Sequence, residues 1–319
     1  MNLLITGVSG HLGQAAVQQL MIQNPFERVF AIDWVSPSRL GPCHFIQADL
    51  RRVDLTDIFI TCDIHCVLHL ACSPHSSAKT TDAEMAEKCL DAAKQSGVKR
   101  IIIPSLASVY QANASTADES APLRRLPKKK THGGLNKESL AERLGCLAIE
   151  SKLRLEKMLA TYAHEPEDMS IIIPRLAAVL GGQYNQPVEH ILSAPAIFGF
   201  RKTESCFQFL HIDDAARALM SCTTIPNLSG VYNIAGADVL TLEAVAGILQ
   251  KPILRLHPAL ASLSVGTLKR LAILQFGFKD LLRLHLGSAV STEKSDFVLG
   301  KSLYSSRQAL ALWRTKIPR

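Results

Sequence analysis

The chain lacks the cysteine pairs and the long apolar runs that mark several classes of protein. Its eight cysteines include no CxxC pair, and in a chain of 319 residues they are typical of buried, reduced thiols. No apolar run approaches the roughly 20 residues of a membrane span. The opening MNLLITG has neither the basic nor the apolar region of a signal peptide. We therefore expect a cytoplasmic protein without a membrane span, and we assign no metal ligands.

Signatures of nucleic-acid binding are also missing. The net charge is +7, but no helix-turn-helix, zinc-finger or RNP1 pattern accompanies it, so we do not expect nucleic acid as a partner. Five basic residues lie between Arg124 and Lys130, inside a polar, Pro- and Gly-containing loop over 112–138. This charge run is either an ordinary solvated surface, or a clamp for an anion, or a site for a partner protein.

Short apolar runs alternate with helical patterns through the first two thirds of the chain. This alternation predicts an α/β fold with a doubly wound parallel sheet of Rossmann type, and runs this apolar suit strands covered on both faces. The predicted strands are NLLIT (2–6), VFAID (29–33), HFIQA (44–48), CVLHLA (66–71), RIIIPS (100–105) and SIIIPR (170–175). The predicted helices are 11–23, 82–96 and 139–163. Further along, Thr241 is expected to cap a short helix, and 258–287 predicts helices of a smaller lobe or an amphipathic membrane-surface segment.

A glycine-rich turn follows the first strand. Gly7, Gly10 and Gly13 have GxxGxxG spacing, which permits a tight turn and the close approach of a pyrophosphate. The helix that opens at His11 and Leu12 would point its N–H groups at that anion. Asp33 ends the second strand, where a carboxylate accepts the adenosine ribose hydroxyls and favours NAD over NADP. Arg39 lies nearby and can weaken that preference.

With these motifs in order, the chain resembles the extended short-chain dehydrogenase/reductases, within the NAD-dependent epimerase/dehydratase family that includes UDP-glucose 4-epimerase. The stretches that carry the resemblance are TGVSGHLGQ, HLAC (69–72), PSLASVY (104–110), ESKLRLEK (150–157), PRLAAVLG (174–181), FLHIDDAARA (209–218) and GVYNIAGADVLTLEAVA (230–246). The resemblance implies NAD as cofactor, with further contacts from Asp49, Leu50, Leu70, Ala71 and Lys152. It also implies a small-molecule substrate, possibly a nucleotide sugar, and a homodimer formed through two helices per subunit.

The same resemblance implies two lobes. The dinucleotide-binding lobe would comprise 1–175 and about 205–235, and the substrate lobe about 176–204 and 236–319. His211 and Asp213 would belong to the segment that anchors the substrate lobe to the sheet.

The proton-transfer residues of the family are not in place. Lys152 matches the family's lysine, but the tyrosine expected four residues earlier is Ala148, and none of the five tyrosines precedes a lysine in a YxxxK arrangement. The expected serine is Leu106, although Ser108 can reach the site from the turn and is kept, with Lys152, as a catalytic candidate. Where sugar-nucleotide enzymes of the family carry Asn, this chain has Ala178. The candidates for a replacement acid are Glu150, His132, Tyr110 and Cys72.

Three functions therefore stay open. The first is an epimerase/dehydratase-like oxidoreductase with degenerate catalytic residues, acting on a sugar nucleotide or another small alcohol or carbonyl. The second is a catalytically silent NAD(H)-binding regulator or scaffold. The third is binding of RNA or an anionic surface through the basic run at 124–130.

Overall fold

The computed structural model describes 1–72, 82–111, 116–125, 147–162, 169–181, 187–201, 205–257, 265–270, 274, 276–285 and 289–315. The strands are β1 (Leu3–Thr6), β2 (Val29–Asp33), β3 (Cys43–Gln47), β4 (Cys66–His69), β5 (Arg100–Ile102), β6 (Ser105–Leu106), β7 (Ser170–Leu176), β8 (Ala178–Leu180), β9 (Ile197–Phe200), β10 (Cys206–Phe207), β11 (Phe209–His211), β12 (Gly230–Ile234), β13 (Leu240–Thr241) and β14 (Ile253–Leu256).

The helices lie between and after these strands. They are α1 (His11–Ile22), α2 (Leu55–Thr61), α3 (Asp82–Gln95), α4 (Leu147–Tyr162), α5 (Pro187–Ser193), α6 (Ile212–Thr224), α7 (Leu242–Leu249), α8 (Phe278–His285), α9 (Glu293–Leu299) and α10 (Ser306–Thr315). A 3₁₀ turn spans Ala107–Val109. Within the described residues, no helix is long and apolar enough to cross a bilayer.

The central sheet is parallel and its strand order reverses in the middle. The order is β12-β7-β5-β4-β1-β2-β3, and the short β6 also pairs with β7. Strand β1 lies between β2 and β4, with Leu3 opposite both Val29 and Cys66. The chain winds outward in one direction from β1 to β3 and in the other from β4 to β12. In such sheets the ligand crevice lies where the order reverses, outside the carboxyl ends of β1 and β4.

Both faces of the sheet are buried at its centre because the central strands β1 and β4 are buried along their whole length. On β1, Leu4 packs into one cluster with residues of α2, α3 and α4, and its neighbours Leu3 and Ile5 pack into a second cluster with residues of α1 and α6. This alternation follows from the period of two along a strand. The predicted Rossmann-type α/β fold is confirmed.

A smaller group of elements follows the sheet at its carboxyl edge. It contains the pairs β8–β11, β9–β14 and β10–β13, and its core includes Phe207, Phe209 and Trp313. The predicted cap is present, since the Thr241 hydroxyl accepts a hydrogen bond from the Ala244 N–H at 3.2 Å. The buried Asp214 carboxylate accepts the N–H groups of Leu303 and Tyr304, so the HIDD segment ties the C-terminal stretch to α6.

The predicted element boundaries differ from the structure at a few points. RIIIPS forms β5 and then β6, with a break at 103–104. In the predicted helix 139–163, α4 begins at Leu147, and 139–146 lie outside the described residues. The sequence analysis missed α2, although Asp54 marks its start by accepting the N–H groups of Thr56 and Asp57.

Candidate functional site

A cleft of about 610 Å³ opens at the carboxyl edge of the sheet, over the point where the strand order reverses. Its walls come from the glycine turn, the ends of β4 and β6, helix α4 and the smaller group of elements. Of the residues predicted to form the site, the following line this cleft: Gly7, Gly10, His11, Leu12, Gly13, Leu70, Ala71, Leu106, Ser108 and Lys152.

The glycine turn is packed too tightly for larger side chains. Gly7 has φ +71°, and a Cβ there would lie 2.5 Å from the backbone nitrogen of Ala71. A Cβ at Gly13 would lie 2.4 Å from the Gly7 carbonyl oxygen. Glycine is therefore required at 7 by backbone conformation and by space, and at 13 by space alone.

Helix α1 points its N-terminus into the cleft. Its N-cap, Gly10, offers no side-chain acceptor, and Gln14 N–H to Gly10 C=O at 2.8 Å is the bond that opens the helix. The preceding N–H groups, including those of the lining residues His11 and Leu12, have no partner within the helix. Unsatisfied N–H groups and the positive end of the helix dipole suit a phosphate at this point.

Asp33 is fixed beside the glycine turn. The side chain is buried, and its Oδ2 accepts the Ser9 N–H at 2.9 Å. Its Oδ1 accepts the Trp34 N–H at 2.8 Å. The backbone N–H of Arg39 donates a hydrogen bond to Gln14 Oε1 of α1 at 3.0 Å. The carboxylate is therefore held against the glycine turn, although Asp33 itself is not among the residues that line the cleft.

Asp49 and Leu50 are not among the residues that line the cleft. Asp49 forms an ion pair with Arg51 at 2.7 Å, and this hydrogen-bonded cation lowers the pKa of the Asp49 carboxyl to about 2. Leu50 is buried in the core cluster that also contains Leu55 and Phe59. Strand β3 ends at Gln47, and the turn after it directs this pair toward the surface and the core respectively. Their predicted contact with adenine stays a prediction.

Lys152 lies at the other end of the cleft and has an acidic partner. Its Nζ is 3.6 Å from Asp82 Oδ2, with only 18% and 15% of the two side chains exposed. Leu106 and Ser108 line the cleft beside it. Ala148 lies in α4 one helical turn before Lys152.

The candidates for a replacement acid differ in whether they line the cleft. Cys72 lines the cleft, whereas Glu150 and Tyr110 are not among the lining residues. Tyr110 is fully buried, and its hydroxyl donates to Asn233 Oδ1 at 2.7 Å. His132 lies outside the described residues. No tyrosine lines the cleft in the part of the chain that the structure describes.

The structure adds two titratable residues that the sequence analysis did not select, His69 and Asp82. His69 is buried, and its Nδ1 is 2.9 Å from Thr6 Oγ1. Its Nε2 has no hydrogen-bond partner among the described residues. Burial, and then the charge of Lys152, lower the pKa of His69 to about 4, so the imidazole is neutral near pH 7. His69 was visible as the first residue of HLAC, but only the fold brings Asp82 to Lys152.

A buried ionic network holds α4 in register beneath the cleft. Glu156, one helical turn after Lys152, accepts the Ser105 hydroxyl at 2.5 Å and the Arg175 Nε–H at 3.0 Å. Arg175 also donates to the Tyr110 hydroxyl at 2.5 Å. Burial favours the neutral Arg175, but the hydrogen bond and charge of Glu156 outweigh it and raise the pKa of the guanidinium. Ser105 lies next to the position where the family's serine is expected, but its hydroxyl already donates a hydrogen bond to Glu156 of α4.

The geometry agrees with comparisons to known proteins. Residues 3–133 match the NAD dependent epimerase/dehydratase family. Over these residues the chain is similar to that family. The matched segment contains the glycine turn, Asp33, His69 and Asp82. Because the family is NAD dependent, the predicted cofactor class is confirmed at the level of the family.

Curated relatives extend the likeness without adding a function. Uncharacterized proteins of Mycobacterium tuberculosis and Mycobacterium bovis are 24% identical over 259 residues, which cover 75% of this chain and 63% of each relative. The matched region thus spans about 63% of the length of these relatives.

Solved epimerase and dehydratase structures share the fold across almost the whole chain. MoeE5 in complex with UDP-glucuronic acid and NAD is 19% identical, covers 99% of this chain and 98% of its own, and has a TM-score of 0.70. The UDP-glucuronic acid 4-epimerase of Bacillus cereus, in complex with UDP-glucuronic acid and NAD, gives the same values. The NAD dependent NDP-hexosamine 5,6-dehydratase TunA is 17% identical with a TM-score of 0.71. At these identities the likeness establishes the fold alone.

Proposed function

We propose that this epimerase/dehydratase-family protein binds NAD along the cleft and acts as an oxidoreductase on a small alcohol or carbonyl. The observation that carries the proposal is the placement of the glycine turn, the α1 N-terminus and Lys152 on one cleft, with Asp33 hydrogen-bonded to the glycine turn. The turn and the α1 N–H groups would hold the pyrophosphate, Asp33 the adenosine ribose, and Lys152 the nicotinamide ribose.

The residues present set the expected chemistry. Bound NAD supplies reversible hydride transfer. Lys152 can donate hydrogen bonds to a ribose hydroxyl, and Asp82 keeps its ammonium oriented toward the cleft. Ser108 lines the cleft two residues after the expected serine position, whereas the nearer Ser105 donates its hydroxyl hydrogen to Glu156. Because Ala148 cannot exchange a proton, we expect turnover about 10²–10⁴-fold slower than a site with the full set of acid and base groups.

The second candidate is a silent NAD(H)-binding regulator or scaffold. It is supported by the replacement of the tyrosine by Ala148 and of the serine by Leu106, since both changes remove proton transfer and leave the cofactor contacts unaffected. A homodimer through the helices of one sheet face is a further proposal. Helices α3 and α4 pack together there, with the Tyr162 hydroxyl 2.8 Å from Asp91 Oδ1. Binding of RNA has no support from the described residues, since 128–130 lie outside them.

The test begins with NAD titrated into purified protein and followed by calorimetry. We expect saturable binding that Lys152→Met weakens at least tenfold, because the substitution keeps the aliphatic length and removes the donor. The control is Lys157→Met, an exposed residue of the same helix, for which affinity should not change. Absence of NAD binding at millimolar concentration would contradict both candidates. A panel of sugar nucleotides and simple alcohols, with NADH absorbance as readout, then separates the slow enzyme from the silent binder.

A further inference from the structure

The segment that follows β2 exposes apolar side chains beside the glycine turn. Trp34 is 60% exposed, and Val35 and Leu40 are 47% and 40% exposed. Single exposed apolar side chains are common on protein surfaces, whereas several within one short segment indicate a surface that a ligand or a partner covers. We call these three side chains the apolar patch.

The backbone that carries Trp34 is held in place by its neighbours. Its N–H donates to Asp33 Oδ1 at 2.8 Å, and its carbonyl accepts Gln47 Nε2, from the end of β3, at 3.3 Å. The next residue is fixed as well, because the Ser9 hydroxyl of the glycine turn donates to the Val35 carbonyl at 2.5 Å. Little conformational freedom is therefore lost when a flat ligand covers the indole.

The far end of the same segment is anchored on α1 through Gln14. The Gln14 amide donates to the Val8 carbonyl at 2.9 Å and to the Arg39 carbonyl at 3.1 Å, and its Oε1 accepts the Ser38 hydroxyl at 2.6 Å. These bonds tie the segment both to the glycine turn and to the helix that follows it. The apolar patch therefore keeps a fixed position relative to the turn proposed to hold the pyrophosphate.

The position of Trp34 next to Asp33 indicates which chemical group fits the patch. In Rossmann-type sites a carboxylate at the end of the second strand accepts the ribose hydroxyls, and adenine is bonded to the ribose carbon next to the one that bears the 2′-hydroxyl. Neither Asp33 nor Trp34 lines the cleft, so this end of the cofactor would extend from the cleft onto the surface after β2. The indole there offers a flat face, and purines stack on such faces.

From these observations we propose that Trp34 stacks on the adenine of the bound dinucleotide. The inference rests on the proposed function, because it takes NAD as the ligand and Asp33 as the ribose acceptor. The predicted adenine contacts, Asp49 and Leu50, follow β3, so Trp34 adds a contact from the neighbouring strand. Stacking contributes to affinity and not to hydride transfer, so a slow enzyme and a silent binder would both use it.

The first measurement compares dissociation constants from calorimetry for NAD, AMP and nicotinamide mononucleotide on the full-length protein. Trp34→Ala should weaken NAD and AMP about 5–150-fold, the effect of losing one base–aromatic stack. It should leave the affinity for nicotinamide mononucleotide unchanged, because that ligand has no adenine. Trp34→Phe keeps an aromatic face and should keep most of the affinity for NAD and AMP.

The second measurement follows the fluorescence of the indole itself. The chain has two tryptophans, and Trp313 is buried in the core of the smaller group of elements. AMP should therefore quench the emission of the wild type and of Trp313→Phe, and it should not quench the emission of Trp34→Phe. Nicotinamide mononucleotide should leave the emission of Trp34 unchanged.

The matched control is Phe297→Ala, which removes another exposed aromatic side chain. Phe297 is 92% exposed and belongs to α9, which contacts β12 at the edge of the sheet opposite β3. This variant should bind all three ligands with the affinity of the wild type.

The inference is overturned if NAD binds the wild type and Trp34→Ala equally, or if AMP binds without changing the emission of Trp34. It is also overturned if Trp34→Ala keeps both affinities and changes the oligomeric state in analytical ultracentrifugation, since the apolar patch would then contact a second copy of the chain. Failure of NAD to bind the wild type is a separate result, because it would contradict the proposed function before any variant is made.

Discussion

Replacement of Gly13 by alanine is the most direct test of the glycine turn. The new methyl group would lie 2.4 Å from the Gly7 carbonyl oxygen and 2.6 Å from Val8 Cα and from the Val8 carbonyl oxygen. All three neighbours are backbone atoms, so no side chain can rotate away. Ordinary contact begins near 3.4 Å, and α1 or the turn must therefore move by about 1 Å. Overpacking of this kind costs about 1–3 kcal/mol.

That cost can be converted into a melting temperature. With an unfolding entropy of about 2.1 cal/mol/K per residue, a chain of 319 residues loses about 1.5 °C of Tm per kcal/mol, so Gly13→Ala should lower Tm by about 1.5–4.5 °C. NAD affinity should fall at least tenfold, because the α1 N–H groups that we propose to bind the pyrophosphate move with the turn. Tm comes from thermal unfolding followed by circular dichroism, and affinity from calorimetry.

The matched control is Gly247→Ala, within α7. A Cβ there meets nothing within 4 Å, so the substitution should raise stability by about 0.5–1 kcal/mol through the helix preference of alanine. NAD affinity should stay the same. The reasoning about the turn is refuted if Gly13→Ala matches the wild type in both Tm and NAD affinity.

Three further predictions concern the chemistry of the cleft. Ala148→Tyr, one helical turn before Lys152, should raise NAD-dependent redox activity at least tenfold because it restores a proton donor, as measured by NADH absorbance; an unchanged rate with an accepted ligand would mean that the substrate lobe has also diverged. Asp33→Arg should weaken NAD and favour NADP, because it removes the ribose acceptor and adds a cation for the extra phosphate; equal NAD affinity in calorimetry would show that Asp33 does not contact the ribose. His69, whose pKa is about 4 in the folded chain against an ordinary value of about 6.5, should make the protein less stable as pH falls from 6.5 to 4, since the unfolded chain takes up a proton there and the folded chain does not. Urea denaturation should show a loss of up to about 3 kcal/mol from this group, and His69→Asn should reduce the slope; an identical pH profile for that variant would contradict the assignment.

Several features of the site could be read from the residues because local chemistry determines them. The glycine spacing of 7, 10 and 13 predicts the turn, since Gly7 adopts a left-handed conformation and neighbouring backbone leaves no room for a side chain at 7 or 13. Asp33 was recognisable at the end of β2 for a different reason: the alternation of strands and helices places each strand end at one edge of the sheet. The absence of a YxxxK tyrosine needed only a count.

Other features escaped the sequence because they depend on residues far apart along the chain. The pairing of Asp82 with Lys152 spans two helices separated by β5 and β6, and no local pattern connects them. The Glu156–Arg175 network was likewise invisible, although both residues stood inside the motifs quoted for the family. Asp49 and Leu50 do not line the cleft, and their predicted contact with adenine stays a prediction.

The sequence by itself determined the α/β class, the glycine turn between the first strand and the first helix, and the replacement of the usual acid by Ala148. Those properties follow from periodicity, glycine conformation and residue identity, all of which act over a few neighbouring positions. Only the tertiary structure decided which charges face each other in the cleft and which side chains line it. Charge and burial at a site depend on every element packed around it, and here those elements come from both ends of the chain.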